Sequence, residues 1–335
     1  MIFEGQPPDI LAKIRGTSSW KIFATGEIDI DDGERFAAFL AANNIPFGSE
    51  LYLHSHGGSL IGGMNLGRVI RDYILTTHVG QKGEFRDEFQ QIEDGMCMSA
   101  CAIAFLGGEY RFVSGKSEYG VHRFALNDAG PRQVDQAQQM SATVVEYIRA
   151  MSVDTELFTL ASEIPSDDML FIPKGTLNRL NVTNNGFKRP KWTIESIEGA
   201  LYLKGERETI YGINKYLVIF PARDNAYIHI IFDGGQNADA AMMMESDRLV
   251  FDKELFPASE IRVSRVNDDG RINAMYVLTP ELLEKMLKAR TVGLCLQFAA
   301  DAPLFLGFDN LPFEEGVAKL PGLVSTSHQF RESTR

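Results

Sequence analysis

The sequence predicts an α/β domain followed by an α+β domain of mainly antiparallel strands, and three observations carry that prediction. Short apolar strands alternate with helical patterns up to about residue 183. A segment of turn formers, basic residues and a proline, Asn184-Asn185-Gly186-Phe187-Lys188-Arg189-Pro190-Lys191, then interrupts the chain. After it come β-rich runs with one clear helix. The expected domains are residues 1–188 and 192–335, and a chain of 335 residues has room for two cores.

In the first region Trp20–Thr25 and Leu51–Ser55 read as strands, and Glu34–Asn43 between them sets Phe36, Phe39 and Leu40 at helical spacing. Leu60–Leu75 predicts a helix and Thr76–Gly80 a further strand. Gln133–Met151 carries Val134, Ala137, Val144, Tyr147, Ile148 and Met151 on roughly one face, and Asp154 reads as the N-cap of the next helix. The second region offers strands at Ala200–Lys204, Tyr216–Phe220, Ala226–Phe232 and Gly293–Phe298. Ile261–Val266 and Arg271–Leu278 flank Asn267-Asp268-Asp269-Gly270 as a hairpin. A helix opens at Thr279 with Pro280 in its first turn. Nothing in this region points to a function.

Composition narrows the function classes. With 33 Lys and Arg against 45 Asp and Glu the formal net charge is −12, and no basic stripe offers itself to nucleic acid. Hydrophobic residues make up 44% and charged residues 23%, an ordinary globular balance. No apolar run is long enough to cross a bilayer as a helix. The first residues lack a basic start and apolar stretch, and three cysteines form no full disulfide framework. Both point to a reducing cytoplasm.

Four stretches could carry chemistry. Leu51–Gly63 runs from a strand through Gly57-Gly58 into a helix, a geometry whose free amides suit an oxyanion or a phosphate. No dinucleotide or P-loop fingerprint is present. Ser99 is the hydroxyl in the small, apolar run Cys97-Met98-Ser99-Ala100-Cys101, where it is either core filler or a nucleophile at a sharp turn. His122 lies in an apolar strand, Glu118–Phe124, where a lone imidazole is more often a core residue than a catalyst. Asp167 and Asp168 precede an apolar run and read most simply as a solvated turn.

As an ordered set, these stretches resemble the Clp protease proteolytic subunit family, especially bacterial ClpP-like proteins with a Cys-x-Ser-Ala-Cys segment followed by Gly-Val-His-Arg-Phe. The resemblance covers roughly residues 20–183. It implies a ClpP/crotonase-like spiral β-fold and a serine peptidase acting through an acyl-enzyme. Ser99 would be the nucleophile, His122 the base and Asp168 the orienting carboxylate, with Asp167 the alternative. Gly57, Gly58 and Ala100 would form the oxyanion hole. It implies a peptide or protein substrate and a homo-oligomer, with no cofactor. Two readings stand beside it: a catalytically silent scaffold binding a peptide or protein, and a crotonase-type acyl-CoA enzyme, which needs no serine nucleophile.

Four smaller expectations complete the reading. His54 and His56 share a strand face but lack a local third ligand, so no metal is expected. Cys97 and Cys101, taken as helical neighbours, are expected to be buried thiols. The acidic insert Gln81–Gly95 is a candidate lid, and the glycines Gly58, Gly62, Gly63 and Gly67 predict close helix–sheet packing.

Overall fold

The computed structural model describes residues 1–9, 13, 18–86, 89–124, 133–198, 200–221 and 225–333. The chain divides into two compact units, Met1–Gly186 and Phe187–Arg335.

The first unit is α/β. Its elements are β1 (Ile2–Gln6), β2 (Lys21–Thr25), α1 (Asp32–Ala42), β3 (Glu50–His54), α2 (Leu60–Asp72), β4 (Thr76–Val79), β5 (Gln81–Arg86), β6 (Phe89–Glu93) and β7 (Met96–Met98). They continue with α3 (Ala100–Phe105), β8 (Arg111–Phe112), β9 (Glu118–Val121), α4 (Gln133–Ala150), α5 (Glu156–Glu163), β10 (Leu170–Phe171) and α6 (Lys174–Arg179). One sheet has the order β1-β2-β3-β4-β8 and a second β10-β9-β7. β2, β3, β4 and β8 pair in parallel, as do β7 and β9, while β1 and β10 add antiparallel edges. Parallel neighbours need crossovers, which α1 and α2 supply in turn.

Strand periodicity sorts the sheet faces. Ile22, Ala24, Leu51 and Leu53 alternate onto one face and are fully buried in the core with α2 and α3. The opposite face carries Phe23, Tyr52, His78 and Phe112 in register across four strands. Their rings stack in a ladder at 5.4, 4.7 and 5.0 Å.

The glycine stripe of α2 meets helices and loop rather than a sheet. A Cβ on Gly63 would lie 2.4 Å from the Ala100 carbonyl oxygen, and one on Gly67 1.8 Å from the Tyr147 hydroxyl. At Gly63 α2 meets the backbone of α3, and at Gly67 it meets a side chain of α4.

Arg111 is a buried cation of this unit. Its Nε donates to Val182 O at 2.8 Å, Nη2 to Asn181 O at 2.8 Å, and Nη1 to the carbonyls of Gly108, Leu106 and Met151 at 2.8, 3.3 and 3.4 Å. Those carbonyls lie just past the C-terminal ends of α3, α4 and α6, where orphan acceptors and partial negative charge collect. Burial pushes its guanidinium down to about 10, which still leaves it charged at neutral pH.

The second unit is built on antiparallel strands. β11 (Lys191–Ile197), β12 (Ala200–Thr209), β13 (Gly212–Phe220), β14 (Ala226–Asp233), α7 (Ala238–Met243), β15 (Ser246–Phe251) and β16 (Glu254–Pro257) come first. β17 (Arg262–Asp268), β18 (Arg271–Leu278), α8 (Pro280–Met286), β19 (Thr291–Gln297), β20 (Leu306–Pro312) and α9 (Glu314–Ser333) follow. A six-stranded sheet has the order β11-β12-β13-β14-β18-β17 and a four-stranded one β16-β15-β19-β20. The β17–β18 turn is closed by the Gly270 amide donating to Asn267 Oδ1 at 2.9 Å. The Leu282 amide donates to Thr279 Oγ1 at 3.3 Å, capping α8.

Asp247, on β15, is the buried anion of this unit. Its Oδ1 accepts from Arg265 at 2.7 Å and Arg262 at 2.9 Å, and its Oδ2 from the Tyr276 hydroxyl at 2.8 Å.

Candidate active site

The site lies wholly within the first unit. β3 runs out at His54 into Ser55-His56-Gly57-Gly58-Ser59, and α2 begins. This turn is bound to β7: the Ser55 amide donates to Met96 O at 2.9 Å and the Met98 amide to Ser55 O at 3.0 Å. On its other side the Ile28 amide donates to Gly57 O and the Ser59 amide to Ile28 O, both at 2.8 Å. Both glycines are required by space as well as by backbone. At φ +112° Gly57 would place a Cβ 2.7 Å from the Ser99 Cβ, and at φ +137° Gly58 would place one 2.3 Å from the Ile28 carbonyl oxygen. Ser59 then caps α2 by accepting from the Gly62 amide at 3.1 Å.

Ser99 sits where β7 turns into α3. Its φ of +56° and ψ of −122° are a conformation that a residue with a Cβ holds only at a cost of about 1–3 kcal/mol. Its amide donates to Gly120 O at 3.0 Å, which ties the turn to β9. Its hydroxyl makes no capping bond to the helix it precedes. A strained strand-to-helix turn of this kind presents a hydroxyl instead of burying it.

The amides next to the serine divide unequally. The Gly57 N–H is already donated to Ser55 Oγ at 3.0 Å. Gly58 pairs with Ile28 through its neighbours' groups, so its own N–H is turned away from that strand. Ala100 opens α3 and has no helical carbonyl one turn behind it. Of the three donors expected from the sequence, Gly58 and Ala100 are therefore the two not already given to an acceptor among the described residues.

His122 follows β9 directly. Its Nδ1 is buried and has no hydrogen-bond partner among the described residues. Ser99, Ala100, Gly58 and His122 line one cavity of about 770 Å³. Its walls are mixed: Val144, Ile148, Leu157 and Phe158 form an apolar side, and Glu27, Asp29 and Arg123 also line it.

The carboxylates stand apart from this group. Leu170 pairs with Val121, so the Asp167–Asp168 turn arrives beside the strand end that carries His122. Both aspartates are exposed, however, and neither lines the cavity, although Ser166 does. Asp168 Oδ1 accepts the amide of Met169 at 2.8 Å.

Two sequence expectations need correction. Cys97 and Cys101 form a disulfide rather than a pair of buried thiols. They are not helical neighbours: Cys97 is on β7 and Cys101 on α3, and the turn at Ser99 brings their Cα atoms to 5.1 Å. Two of the three cysteines are thus paired, which removes the cysteine argument for a reducing compartment. The insert Gln81–Gly95 is also no lid over the serine. It forms the β5–β6 hairpin against β2 and β3, and none of its described residues lines the cavity.

His54 Nδ1 accepts from the Met96 amide at 3.2 Å, and burial together with His56 lowers its proton affinity. His54 and His56 both line a second hollow of about 430 Å³ with Glu27 and the glycine turn. His78 belongs to the aromatic ladder. Asp29, Asp31 and Asp32 bring carboxylate oxygens within 4.8 Å of one another, but Asp32 already pairs with Arg35 at 2.7 Å and the Met1 amino group at 2.9 Å. Sequence reading missed Glu27 and Asp29 at the cavity mouth, where no motif or periodicity distinguishes them.

No helix among the described residues is long and apolar enough to cross a membrane. No family model matches the chain, and no curated protein matches it. Among solved structures, a mutant of ClpP1 from Listeria monocytogenes is similar over 49% of this chain and 88% of that one, at 14% identity and a TM-score of 0.37. That likeness supports no inference about activity, and the chemistry rests on this chain's own side chains.

Proposed function

We propose that the first unit is a serine hydrolase of ClpP/crotonase-like fold, acting on a peptide or protein through an acyl-enzyme. One observation carries the reading: Ser99 is held at positive φ at the head of α3, its hydroxyl free of capping, in a cavity it shares with His122. A neutral hydroxyl needs a base that works near pH 7, and imidazole is that base. In the proposed reaction Ser99 Oγ attacks the carbonyl carbon while His122 takes its proton. The amides of Gly58 and Ala100 meet the developing oxyanion, and the imidazolium returns the proton to the leaving group. Water then repeats the sequence to release the acyl group. The apolar side of the cavity, Val144, Ile148, Leu157 and Phe158, favours an apolar group in the substrate.

Asp168 is the proposed orienting carboxylate and Asp167 the alternative. In this role Asp168 would exchange the Met169 amide for His122 Nδ1. The family's habit of assembling into rings motivates a homo-oligomer, which light scattering at micromolar protein tests against a mass near 37.3 kDa.

The direct test is intact-mass spectrometry after fluorophosphonate treatment. A single adduct on the wild type that disappears in Ser99→Ala supports the hydrolase, with His122→Ala lowering the rate by on the order of 10⁴. The second reading, a silent scaffold, draws on the unpartnered Nδ1 of His122, since an unheld imidazole is a poor base. A folded wild type that gains no adduct favours the scaffold.

A further inference from the structure

We infer that the Cys97–Cys101 disulfide is the clamp that positions Ser99, so that acylation follows the redox state of this bond. The inference rests on the hydrolase reading and adds a control to it. The bond joins the strand before the serine to the helix after it and encloses only Met98, Ser99 and Ala100. Ser99 is the middle residue of that ring and the one at positive φ. Both cysteines are fully buried, so the clamp is anchored in the core at each end.

The surroundings show what the clamp has to resist. Ser99 donates its amide to Gly120 O at 3.0 Å, accepts the Ile103 amide at 3.4 Å in the first turn of α3, and abuts Gly57 on the other side. With no covalent tie, β7 and the first turn of α3 can separate and Ser99 can relax to negative φ, which takes its hydroxyl out of line with His122. Reduction to two thiols removes the covalent tie between these ends.

The chemistry balances as ordinary thiol–disulfide exchange. A dithiol gives two electrons and two protons to the bond, yielding the Cys97 and Cys101 thiols, and is itself oxidised to a disulfide by way of a mixed disulfide. Cys295, the remaining cysteine, is buried in the second unit with its thiol pushed up to about 12, so it is a poor competing thiolate.

The experiment has two parts. Thiol titration in denaturant, on protein kept from reductant, should find one thiol per chain, and three after dithiothreitol. Three at the outset overturns the bond and the inference together. Fluorophosphonate labelling is then followed on oxidised protein, on protein reduced and alkylated with iodoacetamide, and on the double variant Cys97→Ser/Cys101→Ser. Labelling should slow on the order of 10²-fold without the bond, as expected for a nucleophile displaced by about an ångström. It should recover when unalkylated reduced protein is reoxidised, and the midpoint of its pH profile should stay put because His122 is untouched.

Equal labelling in both redox states, lost in Ser99→Ala, overturns the clamp and leaves the hydrolase standing. No labelling in either state, with one thiol counted, removes the hydrolase reading instead. A loss of labelling matched by an equal loss of near-ultraviolet circular dichroism also overturns the clamp, since reduction would then be unfolding the unit.

Discussion

Arg111 in the first unit and Asp247 in the second are both buried ions, but the first is ringed by neutral carbonyls and the second by countercharges. The carbonyls come from the ends of three helices, and although Arg71 Nη2 shares those of Leu106 and Gly108 at 3.1 Å, Arg111 is the cation that ties all three ends together. Asp247 has two arginines and a tyrosine, and these overlap in function. Arg265 is 6% exposed while Arg262 is 31% exposed and shares its burden with water. The lesson is that a buried ion solvated by backbone is a single point of failure, whereas one solvated by side chains fails by degrees.

The chain has two tryptophans, Trp20 in the first unit and Trp192 in the second. Denaturant unfolding of Trp192→Phe therefore reports on the first unit and of Trp20→Phe on the second. The largest effect is expected from Arg111→Ala, which should cost the first unit about 3–5 kcal/mol or prevent its folding. Arg111→Lys should come close to it, because one ammonium cannot reach three helix ends. A lysine variant as stable as wild type would sink the carbonyl-ring account.

Next comes Asp247→Asn, which leaves the buried Arg265 without an anion and should cost the second unit about 2–4 kcal/mol. Tyr276→Phe removes one hydrogen bond to a charged group, about 1.5–3 kcal/mol at most. Arg262→Ala should cost under about 1 kcal/mol, since that arginine is partly exposed and its pair is screened. If Arg262→Ala proved as damaging as Asp247→Asn, the graded picture of this unit would fail.

A further effect is one of pH. Burial holds the His78 imidazole below its ordinary value, with Glu50 pulling partly the other way. Because the folded value is depressed, His78 takes its proton more readily in the unfolded chain. The first unit should therefore be fully stable above about pH 6.5 and lose up to about 1.4 kcal/mol per pH unit as pH falls from there toward the folded value. His78→Phe should flatten that window when stability is measured from pH 7.5 to 5.5. His229 in the second unit is also lowered by burial but is less deeply set, so its slope should be shallower.

Legibility followed the kind of signal each region emits. The parallel strands and α1, α2 and α4 of the first unit were readable because apolar spacing and burial coincide there. β8 and β10 are two residues each, too short for any periodicity, and β5 and β6 hid in an insert whose polar composition resembles a loop. Around the site, Ser99, His122 and the glycine pair stood out as residue types out of keeping with their apolar neighbours, and they line or adjoin one cavity. The disulfide was not readable. Its geometry depends on the break between strand and helix at Ser99, a backbone property that a spacing of four residues reads as helix. The spent amide of Gly57 was equally hidden, because it depends on which way Ser55 turns its hydroxyl.

The contact between α2 and α3 leaves no layer of side chains to act as a cushion. Where Gly63 meets Ala100 the two helices can neither slide nor come closer without backbone collision. The Gly58 amide before α2 and Ser99 before α3 are thereby carried on one stiff body, and thermal motion moves donor and nucleophile together. The compliance of the cavity must come from its opposite wall, where Val144, Ile148, Leu157 and Phe158 meet as interlocking side chains that can shift rotamer. Any breathing that admits a bulky guest is then movement of α4 and α5 away from a fixed floor.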